Sequence, residues 1–162
     1  MDTVIDFVNT LDLRPYKEEL ETPARLAAWL TEHGLPVGRA TQADLDRALV
    51  VREALRDLIG GSSAARAVLE QAARDARLEL RLVDDRLRLV PGAGGVSGAL
   101  GSLLAEVAEA MTDGSWERVK LCGADDCRWA FVDTTKNGSR NWCSMRSCGN
   151  RAKVQAYRAR HR

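Results

Sequence analysis

Cys122, Cys127, Cys143 and Cys148 are the four cysteines of the 162-residue chain. Their spacing, C-x4-C-x15-C-x4-C, sets two close pairs of soft ligands on either side of a spacer. Four thiols can close two disulfides in three connectivities, but such frameworks belong to oxidising compartments, and nothing in the sequence directs the chain to one. There is no apolar run of membrane-spanning length and no basic segment followed by an apolar core at the N-terminus, so a soluble, cytoplasmic protein without a membrane partner is expected. In a reducing compartment the spacing favours tetrahedral Zn2+, whose four sulfur ligands leave no position for water or substrate. The zinc would then be structural. An iron centre with four thiolates is the alternative, although ferredoxin spacings differ from this one.

Charge concentrates behind those ligands. Residues 1–121 carry 15 Lys and Arg against 20 Asp and Glu, a net −5, whereas residues 122–162 carry 9 against 3, a net +6. Four thiolates on one Zn2+ lower the second figure to +4, still clearly basic. Arg146, Arg151, Lys153, Arg158, Arg160 and Arg162 follow or flank the last cysteines with no acidic residue among them. Arginine's planar fork suits phosphate, and Gln155 suits an adenine edge. Arg140, Arg146, Arg151, Lys153, Gln155, Arg158, Arg160 and Arg162 are therefore the candidate nucleic-acid contacts. Arg151 and Asn150 have a second candidate role, donating to the thiolates or to nearby carbonyls around the metal.

The elements that must position these groups follow from local pattern. Gly123-Ala124-Asp125-Asp126 can form a tight knuckle, and residues 128–133, with Trp129 and Phe131, look like a short strand. Asn137-Gly138 predicts a turn that folds this strand back onto residues 140–143. A helix is expected from Arg146, with Val154 and Tyr157 as its packing stripe and its N-terminus beside the thiolates. Knuckle, hairpin and helix make a treble-clef-like arrangement. Trp129 and Trp142 are assigned to its small hydrophobic core.

Phe131-Val132-Asp133, Asn137-Gly138, Arg140, Trp142-Cys143-Ser144-Met145 and above all Cys148-Gly149-Asn150-Arg151 resemble the CGNR-type zinc finger. The opening Asp6-Phe7-Val8-Asn9-Thr10-Leu11-Asp12, with Trp29-Leu30 and Gly34-Leu35, resembles the ABATE domain of stress-induced transcription regulators, so the likeness spans nearly the whole chain. Thr134-Thr135 and Asn141 stand where the finger family tends to carry a basic residue, which argues against the hairpin itself gripping phosphate. The chain starts at Met1, close to the N-terminal motif, so a leading strand or turn of the family is expected to be absent. The resemblance implies a bacterial regulator of transcription.

Residues 1–116 read as the N-terminal domain and 117–162 as the finger. Thr22-Pro23 opens a helix carrying Leu26, Trp29 and Leu30 and ending at Gly34. Thr41 and Asp44 open a longer one, striped by Leu45, Leu49, Arg52, Leu55 and Leu58 or Ile59. A third spans about 63–76. Leu78, Leu80 and Leu82 alternate with polar residues, as do Leu87 and Leu89 across Asp84-Asp85, predicting a β-hairpin covered by a helix over 97–112. The fold class is α+β, a mostly helical domain with a hairpin plus a treble-clef-like zinc finger built on four cysteines.

No catalytic residue is assigned. The glycine-rich stretch 91–101 lacks the third glycine of a dinucleotide loop, since Ser97 occupies that place, and it reads as a connector. Asp84-Asp85 and Asp125-Asp126 fall in turns, where aspartate hydrogen-bonds locally. His33 and His161 read as helix-end or solvated side chains. The functional expectation is a DNA-binding transcriptional regulator in which zinc orders a basic helix and the N-terminal domain answers an unidentified effector or partner. Asn9, Arg14 and Trp29 are its candidate effector-site residues, with a cap or turn bond for Asn9 and core packing for Trp29 as the alternatives. One finger offers few phosphate contacts, so a homodimer is expected. RNA, or an acidic protein bound by a zinc-ordered adaptor, remains open as the alternative target.

Overall fold

The structure, a computed structural model, describes residues 1–161. Arg162 lies outside the described residues. Twelve regular elements follow the chain: α1 (Asp2–Asn9), β1 (Leu11–Leu13), β2 (Tyr16–Glu18), α2 (Pro23–Glu32), α3 (Gln42–Ile59), α4 (Arg66–Asp75), β3 (Leu78–Val83), β4 (Arg86–Pro91), α5 (Gly95–Asp113), β5 (Val119–Leu121), β6 (Ala130–Val132) and α6 (Asn150–Arg160). The strands form three separate antiparallel pairs. The architecture is α+β, as the patterning indicates.

Local chemistry explains the helix starts. The Thr22 hydroxyl accepts from the Arg25 amide at 3.2 Å with Pro23 in the first turn. At α3 the Thr41 hydroxyl accepts from the Asp44 amide at 3.2 Å while the Asp44 carboxylate accepts from the Thr41 amide at 2.9 Å, a reciprocal cap. The core gathers Phe7, Leu26, Leu30, Leu55, Leu100 and Leu103 from α1, α2, α3 and α5. Gly101 lets α5 cross close to the end of α4, because a Cβ there would lie 2.4 Å from Cβ of Ala76. The glycines of residues 91–101 thus serve helix entry and packing. Periodicity predicts neither α1 nor the short β1–β2 pair; α1 is only eight residues long, with Val4, Phe7 and Val8 buried.

The β3–β4 hairpin forms with Leu80 opposite Leu89 and Leu82 opposite Leu87. Its turn places Asp84 and Asp85 at φ 47° and 59°, a left-handed pair that short polar side chains tolerate. Its expected cover is incomplete. Leu80, Leu82 and Leu87 are 63%, 69% and 67% exposed. The side of α5 facing the ribbon carries Ala105, Ala108 and Thr112 together with Glu106 and Glu109, and an open groove of about 540 Å3 remains between helix and ribbon.

The expected pairing of 128–133 with 140–143 does not form. Instead β6 pairs with β5, Val119 opposite Val132 and Leu121 opposite Ala130, so the hairpin flanks the Cys122–Cys127 knuckle. Residues 134–140 fold as a loop around the buried Asp133. Its carboxylate accepts from the Thr135 amide at 3.0 Å, the Thr135 hydroxyl at 2.5 Å, the Arg140 amide at 2.8 Å and Lys120 Nζ at 2.8 Å. A charged hub, in place of a strand ladder, holds the Asn137-Gly138 turn.

The last helix starts where expected, as a π-helical turn over Met145–Gly149 that runs directly into α6, but its packing departs from expectation, because no residue of α6 is buried. Val154 and Tyr157 are 48% and 57% exposed, so they do not pack the helix onto the finger.

Candidate metal centre and basic helix

Backbone hydrogen bonds shape the first ligand pair. The Cys122 amide donates to the Trp129 carbonyl at 2.8 Å, closing the strand pair, and the Cys127 amide donates to the Ala124 carbonyl at 2.9 Å, closing the knuckle. The second pair brackets the turn into α6. Trp142 lies between the two, its ring against Gly123 of the knuckle and Gly149 of the turn. A Cβ on Gly149 would meet Sδ of Met145 at 2.9 Å and Cδ1 of Trp142 at 3.2 Å. The glycine after Cys148 is therefore required by contact, and Trp129 and Trp142 pack on the cysteine cluster as expected.

The four sulfurs lie within 4.8 Å of one another. Cys143 Sγ is 3.7 Å from both Cys127 Sγ and Cys148 Sγ. Zn–S bonds of about 2.3 Å in a tetrahedron put neighbouring sulfurs about 3.8 Å apart, so the donor set fits the ion. No sulfur pair is bonded. Burial pushes the Cys127 thiol up to about 11 and, with hydrogen bonds from the other three sulfurs, pushes Cys143 up as well. Burial also opposes the Cys148 thiolate, yet hydrogen bonds led by those from Cys122 and Cys127 outweigh it and lower its pKa. Four thiolates in so small a volume need a dication to balance them.

Arg151 has the arrangement expected of a residue next to the metal. Its guanidinium lies 3.5 Å from Cys148 Sγ and 2.9 Å from the Asp126 carboxylate. Asp126 also accepts from Arg14, and Arg14 foremost, then Arg151, hold its carboxyl below the ordinary value. Asn150 turns the other way and donates to the Arg146 carbonyl at 3.2 Å, within the turn that carries Cys148. Arg140 folds inward, with Nε donating to the Trp142 carbonyl at 2.9 Å, a second bond to the Cys143 carbonyl, and its guanidinium 4.5 Å over the Phe131 ring. That geometry uses its donors to position the third cysteine. Arg146, Lys153, Gln155, Arg158 and Arg160 are exposed.

Asn9, Arg14 and Trp29 are not brought together. Asn9 is buried, with Nδ2 donating to the Ala130 carbonyl at 2.9 Å and Oδ1 accepting from the Ala130 amide at 2.8 Å. Trp29 is packed in the core, 5.5 Å from the Phe7 ring and stacked at 3.7 Å on His33. Arg14 bridges to the knuckle through Asp126. These contacts show a joint between the finger and the helical part that sequence reasoning missed.

Its centre is Arg56, 1% exposed. Arg56 donates to the carbonyls of Val8 (2.5 Å), Leu11 (3.2 Å) and Arg128 (2.9 Å) and to Glu53 (3.1 Å). Burial pulls its pKa below the usual guanidinium value, with Glu53 opposing. Arg52, one turn earlier, reaches Glu18 at 2.7 Å and the Thr10 hydroxyl at 3.2 Å. The available signal was two arginines four apart on a face that also carries Leu45, Ala48 and Leu55. Ala130, with the partly buried Leu121 and Trp116, joins the same hydrophobic core as α1 and α5.

Among the described residues, no helix is long and apolar enough to cross a membrane. Residues 118–161 match the family model described as "CGNR zinc finger", and residues 2–114 match ABATE, described as "Putative stress-induced transcription regulator". Neither describes an enzyme family. No curated protein matches the chain.

Proposed function

Because the chain belongs to the ABATE family, whose description is "Putative stress-induced transcription regulator", and carries a CGNR zinc finger, we propose that it is a cytoplasmic DNA-binding regulator. In this reading residues 117–162 are the DNA-contacting unit and residues 1–116 the regulatory one. Zinc on Cys122, Cys127, Cys143 and Cys148 fixes the turn that launches α6, and the helix presents its cations to phosphate. An effector or partner of the N-terminal domain acts through the joint at Asn9, Arg14 and Arg56.

One observation carries this reading. Arg146, Lys153, Arg158 and Arg160 are exposed on a helix and lead-in turn with no acidic residue, and among the described residues the one ion pair of α6 is Arg151 with Asp126 at 2.9 Å. Four such cations, if each neutralises a phosphate, give a slope of log affinity against log salt of about −3.6 per chain. Fluorescence anisotropy on duplex DNA across a salt series measures it. Lys153→Ala/Arg158→Ala/Arg160→Ala is expected to flatten the slope by roughly 2–3; salt-independent or undetectable DNA binding by the zinc-loaded protein overturns the reading, and preference for RNA in competition redirects it.

A second reading rests on Val154 and Tyr157, exposed on the same helix. An apolar stripe amid cations suits an acidic protein partner, and the protein would then be a zinc-ordered adaptor.

A further inference from the structure

Helix α6 is held at one end only. None of its residues is buried, and beyond Ala152 every described residue is exposed. An open cleft of about 230 Å3 separates its first turns from the metal knuckle, with Asp125, Asp126 and Trp142 on one side and Arg151 and Gln155 on the other. Arg151 bridges the two walls, its guanidinium 2.9 Å from the Asp126 carboxylate and 3.5 Å from Cys148 Sγ. Among the described residues, the other side-chain hydrogen bonds of α6 stay within the helix and its lead-in turn.

Asp126 is shared between two arginines. Its Oδ1 accepts from Arg151 and its Oδ2 from Arg14, which sits in the turn between β1 and β2, 112 residues earlier. The β1–β2 pair is itself fixed to α3, because Arg52 reaches Glu18 at 2.7 Å and Arg56 donates to the Leu11 carbonyl at 3.2 Å. A continuous run of hydrogen bonds thus leads from α3 through the β1–β2 tip and Asp126 to the first turn of α6. The side chains of Arg14 and Asp126 are 48% and 50% exposed. Each link is therefore of the surface kind, a bias of roughly two- to fivefold on where the helix points.

We propose that Asp126 is the positioning residue of the basic helix: it seats Arg151 against the β1–β2 tip, so that the helical part of the chain sets the direction in which α6 leaves the knuckle. Arg14 acts through Asp126. Loss of either side chain frees α6 to swing about the Met145–Gly149 turn, and a partner that draws Arg14 away from Asp126 loosens the helix without touching the finger. The consequence for phosphate contact rests on the reading of α6 given above; the seat itself does not.

Amide 15N relaxation and residual dipolar couplings of the zinc-loaded full chain test it. Arg14→Gln and Asp126→Ala are each expected to lower the order parameters of residues 152–157 from about 0.85 toward about 0.6. The couplings of α6 should shrink relative to those of α3, while zinc content and melting temperature hold. Arg14→Gln/Asp126→Ala is expected to match Asp126→Ala alone, since Arg14 acts only through that carboxylate, and Arg14→Lys, which keeps the charge, should recover part of the order. Parent-like order and couplings of α6 in Asp126→Ala overturn the proposal, and additive losses in the double variant overturn the relay from Arg14. Asp126 adjoins Cys127, so if Asp126→Ala loses zinc, Arg14→Gln decides: an α6 as ordered as in the parent refutes the seat. No DNA enters the measurement, so its outcome is separate from whether α6 binds phosphate.

Discussion

The carboxamide of Asn9 pairs with the backbone of Ala130 in both directions, at 2.9 and 2.8 Å, across 121 residues of sequence. A side chain thereby supplies what a neighbouring strand would give the free edge of β6, and it does so in a buried setting. The last turn of α1 and the strand leaving the metal knuckle are held in one register.

Replacing Asn9 by Leu leaves an amide and a carbonyl of Ala130 without partners. Chemical denaturation is expected to show a loss of about 2–4 kcal/mol, one desolvation penalty for each orphaned group. A loss below about 1 kcal/mol would mean that water satisfies both groups.

Arg56 carries a larger share of the same joint, because one planar guanidinium serves three carbonyls and Glu53. Arg56→Ala is expected to cost about 3–5 kcal/mol, as removal of one partner strands the others in the interior. Lysine lacks the fork and cannot replace the set of donors, so Arg56→Lys should recover less than half of that loss. Full recovery by lysine in urea melts would show that charge alone is needed.

Metal removal should separate the two parts of the chain. The purified protein is expected to bind about one zinc per chain and to release protons on binding, since the thiols must ionise. A strong chelator should change the fluorescence of Trp129 and Trp142, which pack on the cysteines, while most far-ultraviolet helix signal survives, because α1 to α5 rest on their own core. Complete unfolding on chelation would instead make the metal essential to the whole chain.

Asp133 gives a pH dependence of definite sign. Lys120 foremost, then Thr135, with the Arg140 amide, hold its carboxyl well below the usual carboxylate range. A folded-state pKa lower than the unfolded one stabilises the fold fully above the unfolded value, about 3.9, and that stabilisation is lost as pH falls through the folded value. The advantage of the parent protein over Asp133→Asn, read from denaturation at each pH, is therefore constant above about pH 5 and shrinks below about pH 4. An advantage unchanged at about pH 3 would contradict the charge-based role.

Several elements were legible because their signals are local. Thr22-Pro23 and the Thr41/Asp44 pair mark helix starts through bonds spanning three residues, and the leucine alternation across Asp84-Asp85 marks a hairpin through backbone geometry. Others were hidden because their partners are remote. The Asn137-Gly138 turn predicts a ladder on local grounds, yet Asp133, Lys120 and Arg140 displace that ladder with charge-assisted bonds from three different stretches. Short α1, with one apolar turn, becomes a helix by burying Phe7 and Val8 against α3 and α5.

By itself the sequence determined the metal-binding composition, the polarity of charge along the chain and the helical face patterns, since these depend on residue type and spacing alone. Only the tertiary structure decided which cations are free. Arg140, Arg151, Arg56 and Arg158 are alike in sequence, but the fold turns Arg140 onto the carbonyls of Trp142 and Cys143, brings remote acceptors to Arg151 and Arg56, and leaves Arg158 facing solvent. The difference is physical. An arginine's availability depends on the acceptors that folding places around it, and those acceptors lie up to 72 residues away.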